Sequence, residues 1–152
     1  MMLRAWRIMK EVYAATAFDG QGAWLYGGRW NSQGTRVVYA SETQSLAILE
    51  SLVHLNPSLT FKYMAIPIEF DNKLVESVAV TNLPVDWTEE PPPPSTKRIG
   101  DQWLKKARSV VLKLPSVIVQ SESNYLINPA HSDFKKINIG KPRSFAIDPR
   151  LL

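Results

Sequence analysis

Residues 35–70, "TRVVYASETQSLAILESLVHLNPSLTFKYMAIPIEF", change their hydrophobic period twice. "TRVVYAS" (35–41) and "FKYMAIPIEF" (61–70) are rich in β-branched and aromatic residues, and the second alternates as a half-buried strand does. Between them, "SETQSLAILESLVHL" (41–55) opens with Ser41 and Gln44 spaced as a capping box and carries Leu46, Leu49, Leu52 and Val53 at helical intervals. Strand, helix, strand is therefore the expected order.

Outward from this unit the punctuation continues. A strand is expected around "SVAVTNL" (77–83). "PVDWTEEPPPPSTKR" (84–98) contains four successive prolines that lack amide donors, so a surface loop is expected at about 84–96. "IGDQWLKKARS" (99–109) predicts a short helix, and "VVLKLPSVIV" (110–119), "NYLIN" (124–128), "KKINI" (135–139) and "SFAID" (144–148) predict strands. No internal repeat is visible. With 152 residues and 45% hydrophobic content, the chain suits one ordinary core.

Composition removes several chemistries. There is no cysteine, hence no disulfide, thiol nucleophile or thiolate metal site. Two histidines, His54 and His131, leave little for a histidine-rich metal centre. The start "MMLRAWRIMK" is interrupted by charges, unlike the apolar core of an export signal, and no run approaches the ~20 residues of a membrane span. A soluble cytoplasmic protein is expected. Residues 1–96 hold 7 Lys/Arg against 10 Asp/Glu, and residues 97–152 hold 11 against 4, giving net −3 and +7. That basic third suits nucleic acid, an acidic partner or an anionic small molecule, and equally a solvated face.

Three polar residues stand out. At about 100° per residue, Glu50 falls about 40° past Leu46 and about 60° past Val53, on the margin of the helix's apolar stripe. A carboxylate there is either solvated at a cleft or paired in a structural ion pair. Arg29 sits in the Gly-rich turn "YGGRWNSQG" (26–34), where a hairpin needs glycine and asparagine but neither an arginine nor a tryptophan. Ser116 follows a proline between two β-forming runs, so its hydroxyl is expected to project from a bent or edge strand. No G-x-S-x-G elbow surrounds it and no histidine–carboxylate pair is near in sequence, so Ser116 is a hydrogen-bonding group and not a nucleophile. "NPAH" (128–131) supplies Asn128 and His131 around a turn.

In the order arginine, glutamate, serine, and in the contexts "GGRWNSQGTRVVYAS", "SLAILESLVHL" and "LPSVIVQSESNYLINPAH", the chain resembles the RES-domain family, named for those three residues. The likeness runs from "WRI" near the N-terminus through "IGDQWL" to "NPAH", nearly the whole chain. It implies a single α+β domain over residues 1–152 with a mixed, mainly antiparallel sheet and flanking helices, similar to ADP-ribosyltransferases. It also implies a toxin of a bacterial toxin–antitoxin pair that destroys NAD and is blocked at its active site by an Xre-type helix-turn-helix antitoxin. DNA would then be reached only through the antitoxin, and the resemblance leaves room for a homodimer within the complex.

The resemblance assigns roles that physical chemistry makes intelligible. An arginine fork on a Gly-rich turn can hold the NAD pyrophosphate through charge-assisted bonds, with Arg29 first and Arg7 of "WRI" as a second cation. Tyr39 would pack its ring against nicotinamide or its ribose; otherwise it is an ordinary strand aromatic. Cleaving the ribose–nicotinamide bond builds positive charge on the sugar, which Glu50 would stabilise. Ser116 would position NAD by a hydrogen bond, and Asn128 and His131 would serve or only brace the site. NAD is expected as substrate and no cofactor or metal is implied; no G-x-G-x-x-G stretch suggests a Rossmann site. The acceptor stays open between water, phosphate and a protein side chain. A basic nucleic-acid-binding module is the alternative of a different class, although no recognised motif supports it.

Overall fold

The computed structural model describes residues 1–54 and 61–152. Leu55, the last residue of the expected helix, lies outside the described residues. The element with the most extensive pairing is the N-terminal strand β1 (Met2–Lys10), matched residue for residue with β3 (Tyr63–Asp71), from Met2 opposite Asp71 to Lys10 opposite Tyr63. Periodicity does not announce β1, because Arg4, Arg7 and Lys10 fall on both faces and interrupt any apolar alternation.

The remaining strands are β2 (Val38–Ser41), β4 (Val75–Ser77), β5 (Val111–Pro115), β6 (Ser123–Ile127), β7 (Asn138–Ile139) and β8 (Arg143–Phe145). They form one sheet in the order β4-β5-β6-β2-β1-β3-β7, with β8 also on β3. Only β4 with β5 is parallel among the described pairs. Among the described residues three α-helices accompany it: α1 (Gln21–Tyr26), α2 (Gln44–His54) and α3 (Pro94–Lys106). The architecture is the expected mixed, mainly antiparallel α+β domain.

Alternation sorts the core onto two faces. One buries Ala5, Val38, Ala40, Ile68, Phe70, Val111, Tyr125 and Ile127. The other gathers Trp30, Trp87, Trp103, Leu112, Leu114 and Leu126 beneath α3, with Tyr39 packed against them.

Several boundaries differ from expectation for physical reasons. The 77–83 strand is replaced by β4 followed by a 3-10 turn at Val80–Asn82. The proline-rich loop ends at Pro93, because Pro94 is a favoured first helical residue whose missing amide donor would be unpaired anyway. β5 stops at Pro115, and Ser116 opens a turn beside β6 instead of continuing a strand to 119 or lying at an edge. Lys135 and Lys136 belong to a 3-10 turn, Ser132–Lys136, before the short β7, and β8 leaves 146–148 outside.

Helix α2 also differs in detail. Thr43, not Ser41, caps it: the Thr43 hydroxyl accepts from the Leu46 amide at 3.0 Å, while Ser41 completes β2. Its buried face is Leu46, Ala47 and Ser51, whereas Leu49 and Val53 are exposed. Small residues let the helix lie close to Trp6, Ile8 and Ala65 of β1 and β3. Glu50, four positions after Leu46, is thereby turned further toward the sheet than an apolar count suggests.

Helix α3 fastens the 28–35 loop. A Cβ on Gly100 would stand 1.6 Å from the Trp30 carbonyl oxygen, so only glycine permits this approach. Because the obstruction is backbone, Gly100→Ala should displace the helix and lower stability by at least the ~1–3 kcal/mol typical of overpacking, read by thermal melting. Thr43→Ala should cost about 1 kcal/mol, or roughly 2–4 °C in Tm for a chain of this size.

Candidate functional site

Two side chains from separate elements converge on one carboxylate oxygen of Glu50. Ser116, fully buried just after β5, donates its hydroxyl to Glu50 Oε1 at 2.8 Å. The same hydroxyl accepts from the amides of Ile118 and Val119, each at 3.1 Å, which fixes the turn it begins. Asn124 of β6 donates Nδ2 to Glu50 Oε1 at 2.9 Å, and its Oδ1 accepts the Ser41 hydroxyl at 2.7 Å. Ser41 and Asn124 are direct partners in the β2–β6 register, so their side chains emerge on the same face. Donors to an ionised carboxylate make strong, orienting bonds.

Tyr39 lies two residues before Ser41 and so shares that face. Its hydroxyl donates to Asn31 Oδ1 at 2.6 Å and accepts from the Trp30 amide at 3.2 Å. Burial pushes this phenol above its ordinary value, so it is neutral at physiological pH. A Cβ on Gly28 would fall 2.5 Å from the same hydroxyl, which explains one glycine of the turn. Asn31 is itself fully buried, and its Nδ2 donates to the Ala23 and Ser32 carbonyls.

Arg29 is not the solvated loop residue that its position suggests. It is only 8% exposed, and Nη1 donates to the carbonyls of Trp87 at 3.0 Å and Glu89 at 2.8 Å. Nη2 pairs with the carboxylate of Glu90. Burial lowers its pKa, opposed by the charge of Glu50, so the carboxylate of the cluster lies within its electrostatic reach. Trp30, the other oddity of the turn, is core beside Trp87 and Trp103.

The remaining residues expected at the site are placed elsewhere. Arg7 shares its face with Ala5 and Ala40, the reverse side of the sheet from Tyr39 and Ser41. There Nε donates to the Ala17 carbonyl at 2.7 Å and Nη1 to that of Tyr39 at 2.8 Å, bracing β2 from behind. Burial lowers its pKa to about 10, with Asp19 opposing, and leaves it charged at neutral pH. Asn128 stands just beyond the far end of β6, four residues from Asn124 and roughly 13 Å along an extended strand. Its Oδ1 accepts from the Ala130 amide at 3.0 Å, an Asx-type turn. His131 accepts the Asp133 amide at Nδ1, which leaves Nε2 to donate to the Ala107 carbonyl at 2.8 Å.

Residues that the sequence did not single out complete the arrangement. Thr96 donates to the Arg29 carbonyl at 2.6 Å and Lys97 to that of Gly28 at 2.8 Å. Asp101 accepts from the Ser32 amide at 2.9 Å and its hydroxyl at 2.5 Å. Thr96 and Gly100, and likewise Lys97 and Asp101, stand four residues apart on α3 and mark a face turned to the loop. A signal for Asn124 was present: it shares the inward alternation of "NYL" with Leu126, where a polar residue needs a partner.

The site's residues thus lie in one chain whose relatives share its whole length. A family model described as the RES domain matches residues 4–148. A Prs ADP-ribosylating toxin of Sphingobium sp. (strain YBL2) is 41% identical over 97% of this chain and 95% of its own. A Toxin Res of Yersinia enterocolitica serotype O:8 is 39% identical over 99% of both chains, and one of Photorhabdus laumondii is 37% identical over 97% and 96%. With the arginine, glutamate and serine in their expected order and the glutamate and serine in direct contact, the chain belongs to the RES domain family of toxins.

Proposed function

We propose that this toxin consumes NAD by breaking the bond between nicotinamide and its ribose. The observation that carries this reading is the Glu50 carboxylate, held through Oε1 by Ser116 and Asn124 and electrostatically coupled to Arg29. A fixed anion of this kind stabilises a cationic sugar, because it costs little reorganisation as charge develops.

In the proposed step the bond from C1′ to the pyridinium nitrogen breaks, and its electron pair stays on nitrogen, so nicotinamide leaves neutral without an acid. C1′ then forms a bond to an acceptor oxygen. With water the products are ADP-ribose, nicotinamide and one proton; with inorganic phosphate the sugar carries a phosphate at C1′ instead. Arg29 would bind the pyrophosphate, Tyr39 would pack its neutral ring against the nicotinamide riboside, and Ser116 would act through Glu50, toward which its buried hydroxyl points. Arg7 would hold Tyr39 by its backbone. An Xre-type antitoxin as partner and the cytoplasm as location accompany this reading.

Transfer of ADP-ribose to a protein is the second reading, favoured by the name of the Sphingobium relative. Both readings share the bond cleavage and differ in acceptor. Incubation with adenine-labelled NAD, with and without phosphate, separates them: label confined to small products supports NAD breakdown, and label on a protein supports transfer. Expression without an antitoxin should arrest bacterial growth as cellular NAD falls, and arrest at constant NAD would favour transfer.

Glu50→Gln keeps the packing and removes the charge, so turnover should fall by at least ~100-fold while melting changes little. Arg29→Lys keeps a charge but loses the fork, and should weaken NAD binding by roughly one to two powers of ten. Glu90 is 62% exposed and occupies the guanidinium that the pyrophosphate would take. Glu90→Ala should therefore lower KM for NAD by about two- to five-fold, the scale of a weak ion pair removed. A raised KM would show that Arg29 serves the loop and not the substrate.

A further inference from the structure

The side chain of Asn124 has two partners that lead to the carboxylate site. Its Nδ2 donates to Glu50 Oε1 at 2.9 Å, and its Oδ1 accepts from Ser41 at 2.7 Å. Ser116 differs, since its hydroxyl also accepts two amides and so builds the turn at 116–119 whatever Glu50 does. On β6, Asn124 lies between Ser41 of β2 and Leu114 of β5, on the face that carries Leu126 and Leu112. An apolar residue would satisfy packing there. A polar one costs free energy unless its donor and acceptor are both met, and here they are met by Glu50 and Ser41.

The terminal torsion of a glutamate is soft, with a broad two-fold profile, so backbone position alone does not fix the plane of its carboxylate. Two donors converging on Oε1, one from β6 and one from the turn after β5, do fix it, and the Ser41 hydroxyl in turn keeps the Asn124 amide from flipping, because a flipped amide would set its oxygen against Oε1. We infer that Asn124, held by Ser41, is a positioning residue that sets the orientation in which Glu50 meets the substrate ribose, an inference that rests on the proposed cleavage of NAD. Such a residue governs turnover more than substrate binding, because the carboxylate's orientation matters most when the sugar becomes cationic.

Arg29 is coupled to Glu50 from the loop side and Tyr39 stands neutral on the same face. Glu42 and Glu122 flank the strand ends, where Glu42 accepts the Ser123 amide and Glu122 accepts the Thr43 hydroxyl. Asn124→Asp replaces the donor by an isosteric carboxyl group next to Glu50. When protonated, it can donate as the amide did; when ionised, it repels Glu50 and the two titrate as a coupled pair.

NAD consumption by the full chain is measured as kcat and KM across pH for wild type, Asn124→Asp, Asn124→Ala, Ser41→Ala and Glu50→Gln, with melting curves for each. For Asn124→Asp the expected result is a loss of kcat of about ten-fold or more at neutral pH, partly recovered as pH falls, a limb that wild type lacks. KM should change little. Asn124→Ala should lose kcat without gaining that limb, and Ser41→Ala should lose a few-fold. If the Asn124 variants do not fold, Ser41→Ala decides: unchanged kcat overturns the inference. An Asn124→Asp profile parallel to wild type also overturns it, provided Glu50→Gln is inactive. Glu50→Gln turning over at the wild-type rate overturns the role of Glu50 in the proposed function, a failure distinct from that of Asn124.

Discussion

The contact between Gly100 of α3 and the carbonyl of Trp30 governs how the loop, the helix and the sheet fit together. A helix laid this close on a backbone carbonyl has no room for adjustment, so the loop takes its position from the helix. Thr96, Lys97 and Asp101 then satisfy the carbonyls, amide and hydroxyl that the loop brings under α3. Trp30 enters the core beside Trp87 and Trp103, and its amide is left pointing at the Tyr39 hydroxyl. The loop thus meets Tyr39, which β2 holds in place, through the Trp30 amide and Asn31. The flexibility that glycine brings to the unfolded chain is spent in forming a rigid loop.

On the neighbouring part of the same face, the constraint is electrostatic. A carboxylate turned toward a sheet must be met by donors, and Glu50 is met from β6 and from the turn after β5. A cation completes the arrangement without touching it: Arg29 is bonded to the 87–90 segment yet feels the charge of Glu50. The separation of these opposite charges leaves each held by its own partners, which is how a site can keep both an anion and a cation at the ready in a largely buried setting.

Local periodicity made the central strand–helix–strand unit and the boundary position of Glu50 legible, while the α+β class came with the family resemblance. It failed where meaning depends on distant residues. β1 carries charges on both faces because its middle lies in the sheet while Arg7 finds two carbonyls to bond, a solution invisible in ten residues of sequence. Ser41 looks like a cap in sequence because the strand's end and the helix's start abut; Thr43 wins since Ser41 is still paired to β6. Arg29 was legible as unusual but not as buried, because its partners lie about sixty residues away on a loop that sequence marks only as irregular. Asn124 needed the β2–β6 register before its purpose could be seen.

The way Arg29 is held has a consequence for how this chain can vary. Two of its three described contacts go to main-chain oxygens, those of Trp87 and Glu89. Every amino acid supplies a carbonyl, so the side chain at 89 can change freely without disturbing that contact, while Trp87 is retained for its place in the core. What the contact measures is the path of the backbone, and therefore the number of residues between the tryptophan anchor and the start of α3. Position 89 is thus tolerant of substitution while the segment is intolerant of insertion or deletion, an inversion of the usual rule for surface loops.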